Sequence, residues 1–252
     1  METSFIVFNA IALIVVIVAA FRIGVTVTKA TKKEASEKEN LISYEECVAL
    51  NTKKFNYETF TDARDGETYR TVKIGNQIWM VDNLRFKTEE SFAPGNDETN
   101  VAKYGRLYTW TAALGIPSEF SEQSLAKDLH MYHDIRENNN YQGIAPEGWH
   151  IPSYKEWEQL LENLPKNSNG DELRSACFWG KPGEDSLGFF ALPAGYRFDD
   201  GGYYRFGRRA RFWCKDEYGK TNAYRLSITN NSCDIEGVYR SDAVSVRCVK
   251  NV

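Results

Sequence analysis

The residues best suited to metal chemistry are the histidines, of which the chain has three. His130 and His133 lie three positions apart in a segment that predicts a helix, with Asp128 and Asp134 beside them. Two imidazoles at that spacing can reach one cation. The sequence offers no third strong ligand, and such residues also occur on solvated helix faces. We therefore expect no metal and no other cofactor, and we expect His150 to be a hydrogen-bonded structural side chain.

Covalent catalysis would need a cysteine or serine next to a base in a defined motif. No Gly-x-Ser-x-Gly elbow and no cysteine–histidine arrangement is apparent in the sequence. The cysteines also lack the close C-x-x-C pairing of a zinc site, although one or two structural disulfides would suit their number. They are Cys47, Cys177, Cys214, Cys233 and Cys248. The sequence therefore predicts no catalytic residues.

The segment FDDGGYYRFGRRARFW is the best candidate for ligand binding. Aromatic rings that stack on sugar rings beside carboxylates form a common carbohydrate-binding platform. The candidate residues surround a glycine turn and are Asp199, Asp200, Tyr203, Tyr204 and Arg205. The alternative is a plain strand with one packed face and one solvated face. A surface glycan or a protein would be the expected ligand.

The composition excludes one class of partner. The formal net charge is −4, and no basic stripe with interleaved aromatic residues is present. Nucleic acid is therefore not an expected partner. The 14 Tyr, 14 Phe and 6 Trp supply enough large apolar surface for a substantial core. We expect one globular domain over residues 56–252.

The first 27 residues form a hydrophobic segment. Phe5 to Phe21 carries no charge, and the segment to Val27 is long enough to cross a bilayer. It lacks the basic start of a cleaved signal peptide, so we expect it to be retained. The basic residues that follow it, from Arg22 to Lys33, would place the domain in the cytoplasm by the positive-inside rule.

Residues 28–55 continue the helical pattern as an amphipathic stalk, giving about 50 residues or ~75 Å of helix in all. The hydrophobic-then-amphipathic layout resembles a type IV pilin or pseudopilin stem. That resemblance implies contacts with membrane lipid or identical subunits through the N-terminal helix. The residues expected to make them are Glu2, Phe5, Ile14, Val18 and Phe21. A simple single-span anchor is the alternative, because Phe5 stands where pilins have glutamate.

Several patterns predict the elements of the globular domain. The alternation in TYRTVKIGNQIWMVDNL predicts an antiparallel hairpin from Thr71 to Leu84, turning at Gly75 and Asn76. Ser153 and Glu156 form a capping-box pattern before an amphipathic helix. The C-terminal third predicts short strands, with Val244 to Val249 in the same sheet as the hairpin.

These blocks resemble the Fibrobacter succinogenes major paralogous domain family. The matching segments are DGETYRTVKIGNQIWMVDNL, YGRLYTW, PEGWHIPSYKEWEQL, GFFALPAGYR and SVRCVK, in that family's order. The family is similar to the C-type-lectin-like and formylglycine-generating-enzyme folds. The resemblance therefore implies an α+β domain with a twisted antiparallel sheet, two helices and a long loop region. It also implies a domain outside the cytoplasm, against the positive-inside rule.

Members of that family commonly have cysteines before the PEGWH motif and near YGRLY. This chain has Ala145 and Val101-Ala102 at those places. Cys214 and Cys233 flank a predicted hairpin or loop and could pair with each other. Cys248 would then pair with Cys177 or Cys47, or stay free.

The sequence thus predicts a non-catalytic cell-envelope protein that displays a C-type-lectin-like domain outside the cell. It would be a pilin-like filament subunit, or a single-span anchored module for binding or adhesion. The calcium-binding motifs of sugar-binding lectins are absent from the sequence. The alternative is an exported carbohydrate-active or protein-modifying enzyme of the formylglycine-generating-enzyme-like fold.

Overall fold

The computed structural model describes residues 42–251. The hydrophobic segment 1–27, residues 28–41 of the stalk and the assembly residues Glu2, Phe5, Ile14, Val18 and Phe21 lie outside this range. Among the described residues, no helix is both long and apolar enough to span a membrane.

The described chain is a mixed α+β structure of short helices and curled sheets. The α-helices are α1 Tyr44–Lys54, α2 Val101–Tyr104, α3 Trp110–Leu114, α4 Leu129–Glu137 and α5 Tyr154–Leu161. The first strands are β1 Glu58–Thr61, β2 Thr68–Ile74, β3 Gln77–Met80, β4 Ser91–Phe92, β5 Leu107–Thr109 and β6 Trp149–His150. The later strands are β7 Tyr196–Arg197, β8 Tyr203–Tyr204, β9 Ala210–Tyr218, β10 Asn222–Ile228, β11 Cys233–Tyr239, β12 Ala243–Ser245 and β13 Val249–Lys250.

The strands within residues 42–251 form two separate sheets. One has five strands in the order β1-β2-β3-β13-β6. The other has eight, in the order β11-β10-β9-β12-β5-β4, with β7 joined to β12 and β8 joined to β7. The strands pair antiparallel, except that β12 and β9 run parallel. The single twisted sheet expected from the resemblance is therefore two sheets.

The hairpin predicted from alternation is confirmed. β2 and β3 pair antiparallel from Thr71 with Met80 to Ile74 with Gln77. Gly75 occupies the turn with a φ of 57°, a left-handed conformation that glycine adopts without steric cost. The prediction of one continuous strand from Val244 to Val249 is wrong. Its first part belongs to β12 in the eight-stranded sheet, and only β13 joins the hairpin, with Val249 opposite Trp79.

The predicted helix start at Ser153 is also confirmed. The Ser153 side chain accepts a hydrogen bond from the Glu156 amide, and the Glu156 side chain accepts one from the Ser153 amide. Trp157 and Leu160 face the core on the buried side of α5. In the segment around His130 and His133, which also predicted a helix, the α-helix is limited to Leu129–Glu137.

Buried tryptophan side chains pack in both hydrophobic cores of the described chain. Trp79 and Trp157 lie with ring centroids 4.5 Å apart in one core. In the other, Trp110 donates its indole N–H to the carbonyl of Cys214, and Trp213 donates to that of Tyr108. These buried donors are therefore satisfied, which removes the cost of burying an unpaired polar group.

The compact unit begins at Tyr44 rather than at residue 56. Helix α1 belongs to it because a disulfide joins Cys47 to Cys177. Asn51 also donates to Asp185 at 2.5 Å, and Lys54 donates to the carbonyl of Asp185 at 2.9 Å. The helix is therefore fixed to the domain by a covalent bond and by polar contacts.

Candidate functional site

The predicted ligand-binding residues lie on and beside one hairpin. β7 and β8 pair through Tyr196 with Tyr204 and Arg197 with Tyr203. The glycine turn places Asp200 within reach of Tyr204, whose hydroxyl donates to the Asp200 carboxylate at 3.2 Å. Tyr204 as a residue is 40% exposed.

The other predicted residues are spread along the same surface. Asp199 and Arg205 are exposed, and Tyr203 is half-buried. Arg205 has a φ of 57°, so the chain leaves β8 through a left-handed residue. The structure thus brings Asp200 and Tyr204 into direct contact but gives no such contact between Asp199 and Arg205.

A stacked arginine lies beneath this hairpin. The guanidinium carbon of Arg211 lies 3.6 Å from the ring centroid of Tyr196. Burial and the neighbouring charge of Arg225 lower the pKa of Arg211 to about 9. Burial also raises the pKa of Asp242, 3.4 Å from Arg225, to about 6. Arg211, Arg225 and Asp242 together form a layer of charged side chains beneath the hairpin.

The histidine pair and its acidic neighbours lie on or beside α4. His130 and His133 lie exposed on α4. Asp128 caps that helix by accepting a hydrogen bond from the Met131 amide. In residues 42–251, no group of three His, Cys, Asp or Glu side chains is arranged to hold an ion.

His150 is the structural residue that the sequence predicted. It is fully buried, and its ring nitrogens contact Asn251 at 2.7 Å and Glu156 at 2.8 Å. Burial acts to raise the pKa of Glu156, but hydrogen bonds from His150 and Ser153 outweigh it and lower that pKa.

The predicted disulfide between Cys214 and Cys233 is wrong, since both thiols are free. Sheet register explains this. Cys233 pairs with Ile228, which pairs with Ala210, so Cys214 lies four residues farther along β9. That is about 13 Å along the strand, beyond the reach of a disulfide.

The free thiols are also poor nucleophiles. Burial raises the pKa of Cys214 and Cys248 well above the ordinary value, and that of Cys233 to about 12. A thiol with a raised pKa holds little thiolate at neutral pH. Their environment therefore does not favour cysteine-based catalysis.

A groove that the sequence analysis did not predict lies between α4 and the start of α5. Its volume is about 870 Å³. A bulge in β9 forms its floor: Ala223 pairs with Glu217 and Arg225 with Trp213, so three residues of β9 oppose Tyr224 alone. Bulges of this kind re-aim side chains and often lie beside functional sites.

Residues of β9 on the floor of the groove make hydrogen bonds to the segments that form its walls. The first of these residues is Lys215. Its ammonium donates to the carbonyls of Ile135 at 2.7 Å and Asn138 at 2.8 Å, where α4 ends. A cation is favourable at a helix C-terminus because the last carbonyls are unsatisfied. Lys215 therefore fixes α4 to the sheet.

Asp216 and Glu217, the next two residues of β9, hold the other segments around the groove in place. Asp216 accepts the first amide of α5, from Tyr154, at 2.5 Å. Glu217 accepts from the Leu125 amide at 2.7 Å and from Arg240 at 2.6 Å. The sequence signal available for this site was the segment KDEYG followed by TNAY. The bulge itself is visible only in the register between β9 and β10.

The fold is that of a mixed α+β domain with curled sheets and few helices. The chain belongs to the Fibrobacter succinogenes major domain family, whose profile matches residues 72–250. No curated protein and no solved structure matches the chain significantly.

Proposed function

We propose that this protein is a non-catalytic cell-envelope protein that displays a C-type-lectin-like domain outside the cell. The N-terminal helix carries the domain, either as a single-span anchor or as the stem of a pilin-like filament subunit. The displayed domain serves binding or adhesion. Its ligand is a surface glycan or a protein, for which the β7–β8 hairpin and the groove above β9 are the available surfaces.

The observation that carries this proposal is the disulfide between Cys47 and Cys177. Structural disulfides form and persist in oxidising compartments and are rare in the reducing cytoplasm. The bond therefore supports a domain outside the cytoplasm, although the basic residues after the hydrophobic segment favour the opposite orientation. It also joins the helix nearest the N-terminal segment to the body of the domain.

The orientation is tested by cysteine accessibility. Lys220→Cys adds a thiol at an exposed position after β9, in a chain that also carries Cys233→Ser. A membrane-impermeant maleimide is applied to intact, osmotically shocked and lysed cells. Labelling before lysis of the inner membrane supports display, whereas labelling only after lysis contradicts it. The parent with Cys233→Ser alone is the control, since Cys214 and Cys248 are buried.

Electron microscopy of shed surface material distinguishes the two forms of display. A filament subunit gives fibres that contain this chain. A single-span anchor gives none, and the chain stays with the membrane fraction.

A further inference from the structure

Tyrosine rings line both walls of the groove above β9. Tyr132 comes from α4 on one side, and Tyr154 comes from the start of α5 on the other, with Tyr224 of β10 beside it. The rings of Tyr154 and Tyr224 have centroids 4.7 Å apart. All three residues are half-buried and line the groove. Aromatic faces attract flat surfaces whose C–H bonds point outward, as in pyranose rings.

The charges that line the groove balance. Arg136, Lys155 and Lys215 are basic, and Glu137, Asp216 and Glu217 are acidic, which gives three of each sign. A groove for a polyanion or a polycation would need an excess of one sign. The balance favours a neutral ligand.

The floor still offers hydrogen-bond acceptors. Asp216 makes its contacts through Oδ2, and Glu217 makes its contacts through Oε1. Both residues are half-buried and line the groove, so Oδ1 and Oε2 can accept hydrogen bonds from a ligand. Since the bulge contacts hold both carboxylates in place, little ordering entropy is lost when a hydroxyl group binds.

We infer that this groove binds a neutral oligosaccharide of pyranose units. Its sugar rings lie between Tyr132 and the pair of Tyr154 and Tyr224, and its hydroxyls donate to Asp216 and Glu217. This inference rests on the proposed function, to which it adds a ligand class and a location. It moves the carbohydrate site from the β7–β8 hairpin to the groove.

The test uses the full chain in detergent micelles with fluorescently labelled cellohexaose and laminarihexaose as neutral probes. A hexamer of galacturonate and a lysine-rich octapeptide are the charged probes. Tyr132→Leu and Tyr224→Leu keep apolar volume but remove the aromatic face. Tyr204→Leu tests the hairpin as the competing site, and Tyr239→Leu on β11 is the matched control, since both tyrosines are exposed outside the groove. Thermal midpoints identify any variant that fails to fold.

The expected result is binding of at least one neutral probe, weakened about tenfold or more by each groove variant and unchanged by Tyr204→Leu and by the control Tyr239→Leu. The inference is overturned if neither neutral probe binds, if only a charged probe binds, or if Tyr204→Leu alone abolishes binding. Each of these results leaves the accessibility test of display unaffected. Labelling only after lysis with intact sugar binding would instead reject display and keep the groove.

Discussion

Removal of the disulfide between Cys47 and Cys177 should destabilise the domain strongly. The two cysteines are separated by 130 residues, and closing so long a loop restricts the unfolded chain considerably. The chain-entropy relation gives about 5 kcal/mol for a loop of that length at 25 °C. Measured losses are usually smaller, so we expect about 3–5 kcal/mol for Cys47→Ser combined with Cys177→Ser.

Polar contacts still join α1 to the domain once the disulfide is removed. Within that helix only Cys47 and Asn51 are buried. Asn51 and Lys54 contact Asp185, and Tyr57 donates to the carbonyl of Gly188 at 3.0 Å. A few net hydrogen bonds contribute about 1 kcal/mol each. We therefore expect α1 to separate from the domain before global unfolding, which limited proteolysis would detect.

The assay is urea unfolding of the full chain in detergent micelles, followed by tryptophan fluorescence. Cys233→Ser is the control, because it removes a free thiol and should leave the midpoint nearly unchanged. Peptide mapping without reductant should link the segments around Cys47 and Cys177. A loss below about 1 kcal/mol would refute the loop argument, since no closed loop of this size could contribute so little by that relation. A linked pair of Cys214 and Cys233 would refute the register assigned to β9 and β11.

Trp149→Ala should lower the free energy of unfolding by about 3–5 kcal/mol, because Trp149 is 4% exposed and stacks on Phe60 at 4.8 Å. An unchanged thermal midpoint would contradict this. Burial raises the pKa of Asp185 to about 6, above its unfolded value, so the native state binds this proton more tightly than the unfolded state does. The free energy of unfolding should therefore fall as the pH rises from ~4 to ~6, relative to that of Asp185→Asn. Parallel pH curves for the two chains would exclude that linkage. Ile14→Asp should abolish filament assembly, or membrane retention for a simple anchor, by burying an unpaired charge, and cell fractionation with microscopy would show which. Deletion of residues 1–27 should leave a soluble, folded domain when expressed under oxidising conditions; an unfolded product would reject the division into stem and head.

Family membership and several local elements were predictable from the sequence. The hairpin of β2 and β3 follows from alternation around Gly75, and the start of α5 follows from Ser153 and Glu156. The burial of Trp149 and Trp157 follows from their place around that amphipathic helix. These features depend on the period of side chains and on caps only a few residues apart, which a linear sequence contains directly.

Buried arginines show where this reasoning fails. Arg247 is 1% exposed, donates to Asn83 at 2.5 Å, and lies over the ring of Phe189. Alternation would assign an arginine to a solvated face. Its partners come from distant parts of the chain, so the pattern around residue 247 contains no sign of them.

The family, the α+β class and the separate hydrophobic segment at residues 1–27 could all be recognised from the amino-acid sequence. The folded chain was needed to show that Cys47 pairs with Cys177 and that Val244 to Val249 divides between two sheets. It alone also revealed the bulge that opens the groove opposite Tyr224. Each of these depends on the register between strands or on contacts across more than 100 residues. Register is fixed by the sum of many distant contacts, and a slip of one residue would reverse every side chain on a strand.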